Sequence, residues 1–194
     1  MTLILQGTDN SVSSPAVQGG TAGTTTGVYY PASNQVAIAT NGTQAMLANS
    51  VQGVQFANAI GVGATTPSTS GAGITFPATQ SASSDANTLD DYEEGTWTPT
   101  FTNLGTTAII YTARYIKVGS FVWCYVGFTC TSTPTANSSR FTIPFTSTTY
   151  SGGTWTQSTG AGGVVEVQAG STCYFSTTAP SASGVFYCTF TFQV

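Results

Sequence analysis

The 194-residue chain has no histidine and only three basic residues, Arg114, Lys117 and Arg140, against seven acids, for a net charge of −4. Without histidine there is no His/Cys zinc site and no imidazole general base. Three cations cannot track a phosphate backbone, which argues against nucleic-acid binding. Charged residues make up 5% of the chain, where an ordinary soluble domain has about 25%. A surface so poor in charge is covered by Thr, Ser, Asn and backbone, as in chains that become soluble by assembling. Disorder does not fit either. It accompanies high net charge and few aromatic residues, and aromatics are 12% here.

Long apolar runs are also missing. No stretch approaches the ~18 residues that a membrane-spanning helix needs, so no membrane insertion is expected. Residues 1–5 show no basic segment ahead of an apolar core, and the expectation is synthesis in a cytosol without a secretory leader. Cysteines are few and not paired in CxxC spacing: Cys124, Cys130, Cys173 and Cys188. Cys124 and Cys130 share strand parity with Val122, Val126 and Phe128, and Cys188 with Phe186, Phe190 and Phe192. Residues of one parity face one side of a sheet. These thiols are therefore predicted to be free and in the core; disulfides are the alternative, disfavoured in a cytosol. No cofactor is implied.

What the chain does contain is Gly, Ser and Thr in its first half and alternating aromatic and β-branched residues in its second. Leu3, Ile4 and Leu5 form an apolar patch followed by a Gly/Thr tract, which reads as an anchoring arm over 1–27 rather than a loose terminus. Residues 28–94 read as short strands and an acidic junction. The runs around 28–30, 35–39, 44–47, 51–56, 60–63 and 73–77 are separated by Gly or Asn turns, among them Asn41-Gly42, a strong hairpin signal. One such chain has too little apolar bulk to offset the entropy of ordering it, whereas three intertwined chains would not. Asp9 is the one charged residue before position 85. That near-absence suits a threefold axis, where each charge would meet its own copies, or a surface pressed on another protein. The only helical signal is a turn or two between 83 and 95, with Asn87 or Thr88 as cap and Gly95 as stop. From 95 to 194 the strands lengthen, near 96–102, 107–117, 120–131, 139–145, 162–168, 171–177 and 184–194. They predict an all-β, antiparallel sandwich of jelly-roll-like kind. Around 121–130 both strand faces are apolar, as for a strand buried on two sides or covered by a neighbouring chain.

The run Asp85-Ala86-Asn87-Thr88-Leu89-Asp90-Asp91-Tyr92-Glu93-Glu94-Gly95-Thr96-Trp97-Thr98-Pro99 resembles the junction in surface fibre proteins of tailed bacteriophages. Residues 23–42, through Thr24-Thr25-Thr26-Gly27-Val28-Tyr29-Tyr30-Pro31, are similar to the stalk of that family. Residues 111–122, through Tyr115-Ile116-Lys117-Val118-Gly119, are similar to the first long hairpin of its head, and Phe141-Thr142-Ile143-Pro144-Phe145-Thr146 to the next strand. The resemblance covers most of 23–146 and is most specific at the junction. It implies a homotrimer on the virion surface, attached by its N-terminal part to other virion proteins and displaying its β-domain outward. The chain lacks a long repetitive shaft, which leaves two places for it: a small tail-associated fibre, or a decoration protein on the capsid.

Three chemistries compete for the polar and aromatic residues. Asp90, Asp91, Glu93 and Glu94, tripled around an axis, could hold calcium, which takes six to eight oxygen ligands; the plainer reading is a solvated acidic collar, partly paired with Arg114 and Lys117. Paired carboxylates hydrolyse glycosides when roughly 5–9.5 Å apart, but these acids, with Glu166 elsewhere, show no cleft, so the expectation is no enzyme. Tyr150, Trp155 and Tyr174, with Asn137 as a polar partner, are candidates for stacking on a host surface glycan; aromatics equally plug sandwich ends and subunit seams.

Overall fold

In a computed structural model the chain is described over residues 11–18, 25–81, 83–85, 87–105, 109–179, 181–182 and 184–194. The anchoring patch Leu3, Ile4 and Leu5 lies outside the described residues. The architecture is all-β, and no helix occurs among the described residues. The chain divides into two compact units, Met1–Ala78 and Thr79–Val194.

The first unit is an antiparallel meander of β1 (Val17–Gln18), β2 (Gly27–Tyr29), β3 (Val36–Thr40), β4 (Thr43–Ala48) and β5 (Val54–Phe56), in that order across the sheet. The Asn41-Gly42 hairpin forms between β3 and β4, with both residues at positive φ (51° and 69°), the geometry of a type I′ turn. A parallel pair, β6 (Ile60–Gly61) and β7 (Ile74–Thr75), follows.

The second unit contains β8 (Tyr92–Thr96), β9 (Phe101–Thr102), β10 (Ile109–Val118), β11 (Phe121–Thr129), β12 (Arg140–Ser147), β13 (Ser151–Gln157), β14 (Gly162–Val167), β15 (Gly170–Phe175) and β16 (Phe186–Gln193). They form one antiparallel sheet of order β8-β10-β11-β16-β13-β14-β15-β12-β9. The sheet curls, because the segment joining β8 to β9 bridges its two ends. Trp97 N donates to the Ala113 carbonyl of β10 at 3.3 Å, while its indole Nε1 donates to the Thr142 carbonyl of β12 at 3.0 Å. The result is sandwich-like, with one interior. Phe128 sits at its centre, with ring centroids 4.7 Å from Phe101, 5.9 Å from Phe141 and 5.8 Å from Phe186.

Three local expectations need correction. Among the described residues no helical turn forms over 83–95; the end of that stretch is strand β8, paired with β10 through Glu94↔Ile116 and Glu93↔Lys117, so residues 92–95 belong to the sheet of the second unit. Within one chain strand β11 is not buried on two sides, the first of the two readings of its apolar faces: Val122, Cys124, Val126 and Phe128 are buried, while Phe121 and Trp123 are exposed. Residues 151–157, which fall outside the strands expected near 139–145 and 162–168, form β13 between β14 and β16. Glycine is needed there for close approach, since a Cβ at Gly153 would lie 2.0 Å from the Thr189 carbonyl oxygen.

Candidate functional site

In the first unit the pairing places large apolar side chains in a row. Val17 faces Val28, Val28 faces Ile38, Ile38 faces Met46 and Met46 faces Phe56, so one apolar ladder crosses all five strands. Directly paired residues share a sheet face, and Val36, Ala48 and Val54 form a second row on that face. This face points outward: Ile38 is 36%, Phe56 47% and Val54 56% exposed. Among the described residues the opposite face buries Tyr29, Ala37 and Ala39, with Val12 and Leu47 against them. Most of the bulky apolar side chains of the sheet thus lie on its outer face, while the inner face of β3 presents only the alanines Ala37 and Ala39. Five of the eight side chains in the two rows, Val17, Val36, Ile38, Val54 and Phe56, are more than a third exposed, and a contiguous exposed apolar patch of this kind marks an interaction surface.

The acidic stretch is distributed rather than gathered. Along β8 and the residue before it, Asp91 and Glu93 alternate with Tyr92 and Glu94, so their side chains leave on opposite faces. Asp91 is buried and ion-paired with the buried Lys117. Glu93 accepts a hydrogen bond from the Tyr115 hydroxyl and Glu94 one from Tyr92. Asp90 accepts from Ser83 N at 2.7 Å and from Gln80 Nε2 at 3.3 Å; the Ser83 bond foremost holds its carboxyl below the usual range. Burial, then the bond to Glu93, pushes the Tyr115 phenol up to about 12. The collar is thus not simply solvated. Lys117 takes Asp91, while Arg114 lies opposite Thr96 and Tyr125. Within one chain no group of three or more acids, cysteines or histidines among the described residues could hold a metal ion.

The three glycan candidates do not share a surface. Trp155 is 1% exposed, with its Nε1 donating to Thr177 Oγ1 at 3.0 Å and its ring among Phe175 and Phe186. It is a core residue, because β13 turns it inward over Gly163, where any Cβ would lie 2.6 Å from the indole nitrogen. Tyr174 lies on β15 with the Arg140 guanidinium 5.5 Å from its ring centre, and Tyr150 is exposed just ahead of β13. Asn137, held in the left-handed region at φ 57°, donates its backbone N–H to the Phe175 carbonyl. The four cysteines are buried free thiols. Burial pushes all four up, Cys130 to about 11, so none is poised as a nucleophile.

Sequence reasoning missed a depression of about 500 Å³ on the outer side of β8, β10 and β11, lined by Glu94, Thr96, Arg114, Ile116, Trp123 and Tyr125. Its signal is the odd-numbered aromatic row of β11, which in sequence looks like the second face of a covered strand. Compared with known proteins, the sequence matches no family model and no curated protein.

Proposed function

We propose that the protein is a non-enzymatic structural component of a tailed-phage virion: a homotrimeric surface fibre or capsid decoration protein. In this reading its N-terminal part attaches to capsid or tail proteins and its jelly-roll-like β-domain faces outward. The observation that carries the reading is the outward apolar ladder Val17–Val28–Ile38–Met46–Phe56 on a unit whose described residues include no charge. Such a face is stable in water when something covers it. A further copy of the chain suits it best, because it brings an equally uncharged surface and leaves no ion desolvated. Intertwined copies would also supply the core that Tyr29, Ala37 and Ala39 alone do not. The phage placement rests on the resemblance at residues 85–99.

Light scattering of the full chain tests assembly. The expected mass is three times the 19.9 kDa of one chain, and a monodisperse monomer rejects the reading. Antibody labelling of particles in electron micrographs then tests location. Label on the capsid supports decoration, label on the tail supports a fibre, and an absence of label removes the virion role.

A further inference from the structure

The depression on the outer side of β8, β10 and β11 differs in kind from the ladder of the first unit. Across the strands, Glu94, Ile116, Trp123 and Thr191 form one row, and Thr96, Arg114, Tyr125 and Thr189 the next. The floor is aromatic. Trp123 is 36% exposed, and Tyr125 stacks with Tyr187 at 6.3 Å between centroids and 16° between planes. The rim is ionic. The exposed Arg114 has no ion pair among the described residues, and the exposed Glu94 accepts a hydrogen bond from the Tyr92 hydroxyl. The volume of about 500 Å³ is that of a small-ligand site.

The chemistry narrows what fits. An apolar partner would strand Arg114 and Glu94 without water. An anion would be opposed by Glu94, and a cation by Arg114. A group that is apolar on its face and both donor and acceptor at its edge satisfies all of them, and a sugar ring is such a group. Strands lie about 4.8 Å apart, so a ring over Trp123 and Ile116 has one edge toward Glu94 and another toward Arg114 and Thr96.

We propose that this depression is a saccharide-binding site. One pyranose ring stacks on Trp123, its hydroxyls donate to the Glu94 carboxylate and accept from the Arg114 guanidinium, and a second ring extends over Tyr125 and Tyr187. The site is separate from Tyr150, Trp155 and Tyr174, and it goes beyond the assembly reading without depending on it.

The test uses the full-length protein and a panel of soluble hexoses, N-acetylhexosamines, uronic acids and their disaccharides. Binding is followed by saturation-transfer NMR and by protection of tryptophan fluorescence from acrylamide. At least one panel member is expected to bind and to shield a tryptophan. Trp123→Ala and Arg114→Gln should each weaken that binding about tenfold or more, while Tyr150→Ala leaves it unchanged. No binding by any panel member at about millimolar concentration overturns the site, as does binding that survives Trp123→Ala. The Trp123→Ala protein is also weighed by light scattering. A loss of mass would assign this face to contacts between copies and overturn the proposal, whereas a wild-type monomer that binds sugar defeats the assembly reading alone.

Discussion

Replacing Ile38 by Asp separates an exposed position from a covered one. In the single chain Ile38 stands at the centre of the ladder, 36% exposed, so the substitution there costs the lower strand preference of Asp, up to about 1 kcal/mol, together with the packing of the part of the side chain its own neighbours already cover. If copies pack on the ladder, the exposed part of the side chain, roughly 65 Å², is what they bury. At ~25 cal/mol per Å² that is about 1.5 kcal/mol per chain, or about 5 kcal/mol for three. Placing an unpaired carboxylate in the contact adds several kcal/mol more. Trimer formation should therefore weaken by a factor of at least about 10³, at ~1.4 kcal/mol per decade. The assay is sedimentation or light scattering over a dilution series, with near-UV circular dichroism to confirm that the second unit keeps its packing. A variant that dissociates no more readily than the wild type refutes the ladder as an interface. Ile38→Val, which keeps the face apolar, should assemble normally.

Lys117→Met leaves Asp91 buried without its partner and is expected to destabilise the second unit by about 3–5 kcal/mol, with Asp91→Leu added to it recovering most of the loss. Thermal unfolding checks this, and a single-variant cost under about 1 kcal/mol would place the pair among ordinary surface ion pairs. Tyr115 gives a pH dependence of definite sign. Its phenol is raised from 10.0 to about 12, so the stability it confers is complete below pH 10 and declines as pH rises toward 12. Tyr115→Phe should remove that alkaline limb and the late phenolate absorbance; a limb that persists in the variant would locate its source elsewhere.

Much of the second unit was legible because its strands are long and their parity is clean. Cys124, Val126 and Phe128 alternate with Trp123 and Tyr125, and a period of two needs no knowledge of neighbours. The Asn41-Gly42 hairpin was legible for a different reason, since two residues alone determine the turn. Strand β13 was hidden because its glycines, which allow Gly153 to lie against Phe190 and Gly163 to lie beneath Trp155, look like loop residues in a linear reading. Trp155 was misplaced with them. Strand β8 was hidden by its acids, which suggest a helix start until Lys117 and Tyr115 appear beside Asp91 and Glu93. The ladder could not be read at all without register. Its members come from five strands, and a slip of one residue in any of them would turn that strand's contribution to the other face.

The placement of charge connects the two surfaces. All three basic residues and six of the seven acids lie at or beyond position 85, so the capacity for ionic recognition is concentrated in the second unit, with Asp9 the one charge outside it. A face without charge discriminates poorly among apolar partners, and its specificity must come from shape and register, which copies of one chain share by construction. A face that sets Arg114 and Glu94 around Trp123 has the opposite character. It is penalised by any partner that leaves either ion unsolvated, and so selects by hydrogen bonding. Moving one feature to the other surface should then exchange their properties: Arg114→Leu with Glu94→Leu would make the outer side of β8 and β10 a second apolar face. The expected outcome is growth of assemblies beyond the wild-type mass, read by light scattering, rather than a quiet loss of ligand binding.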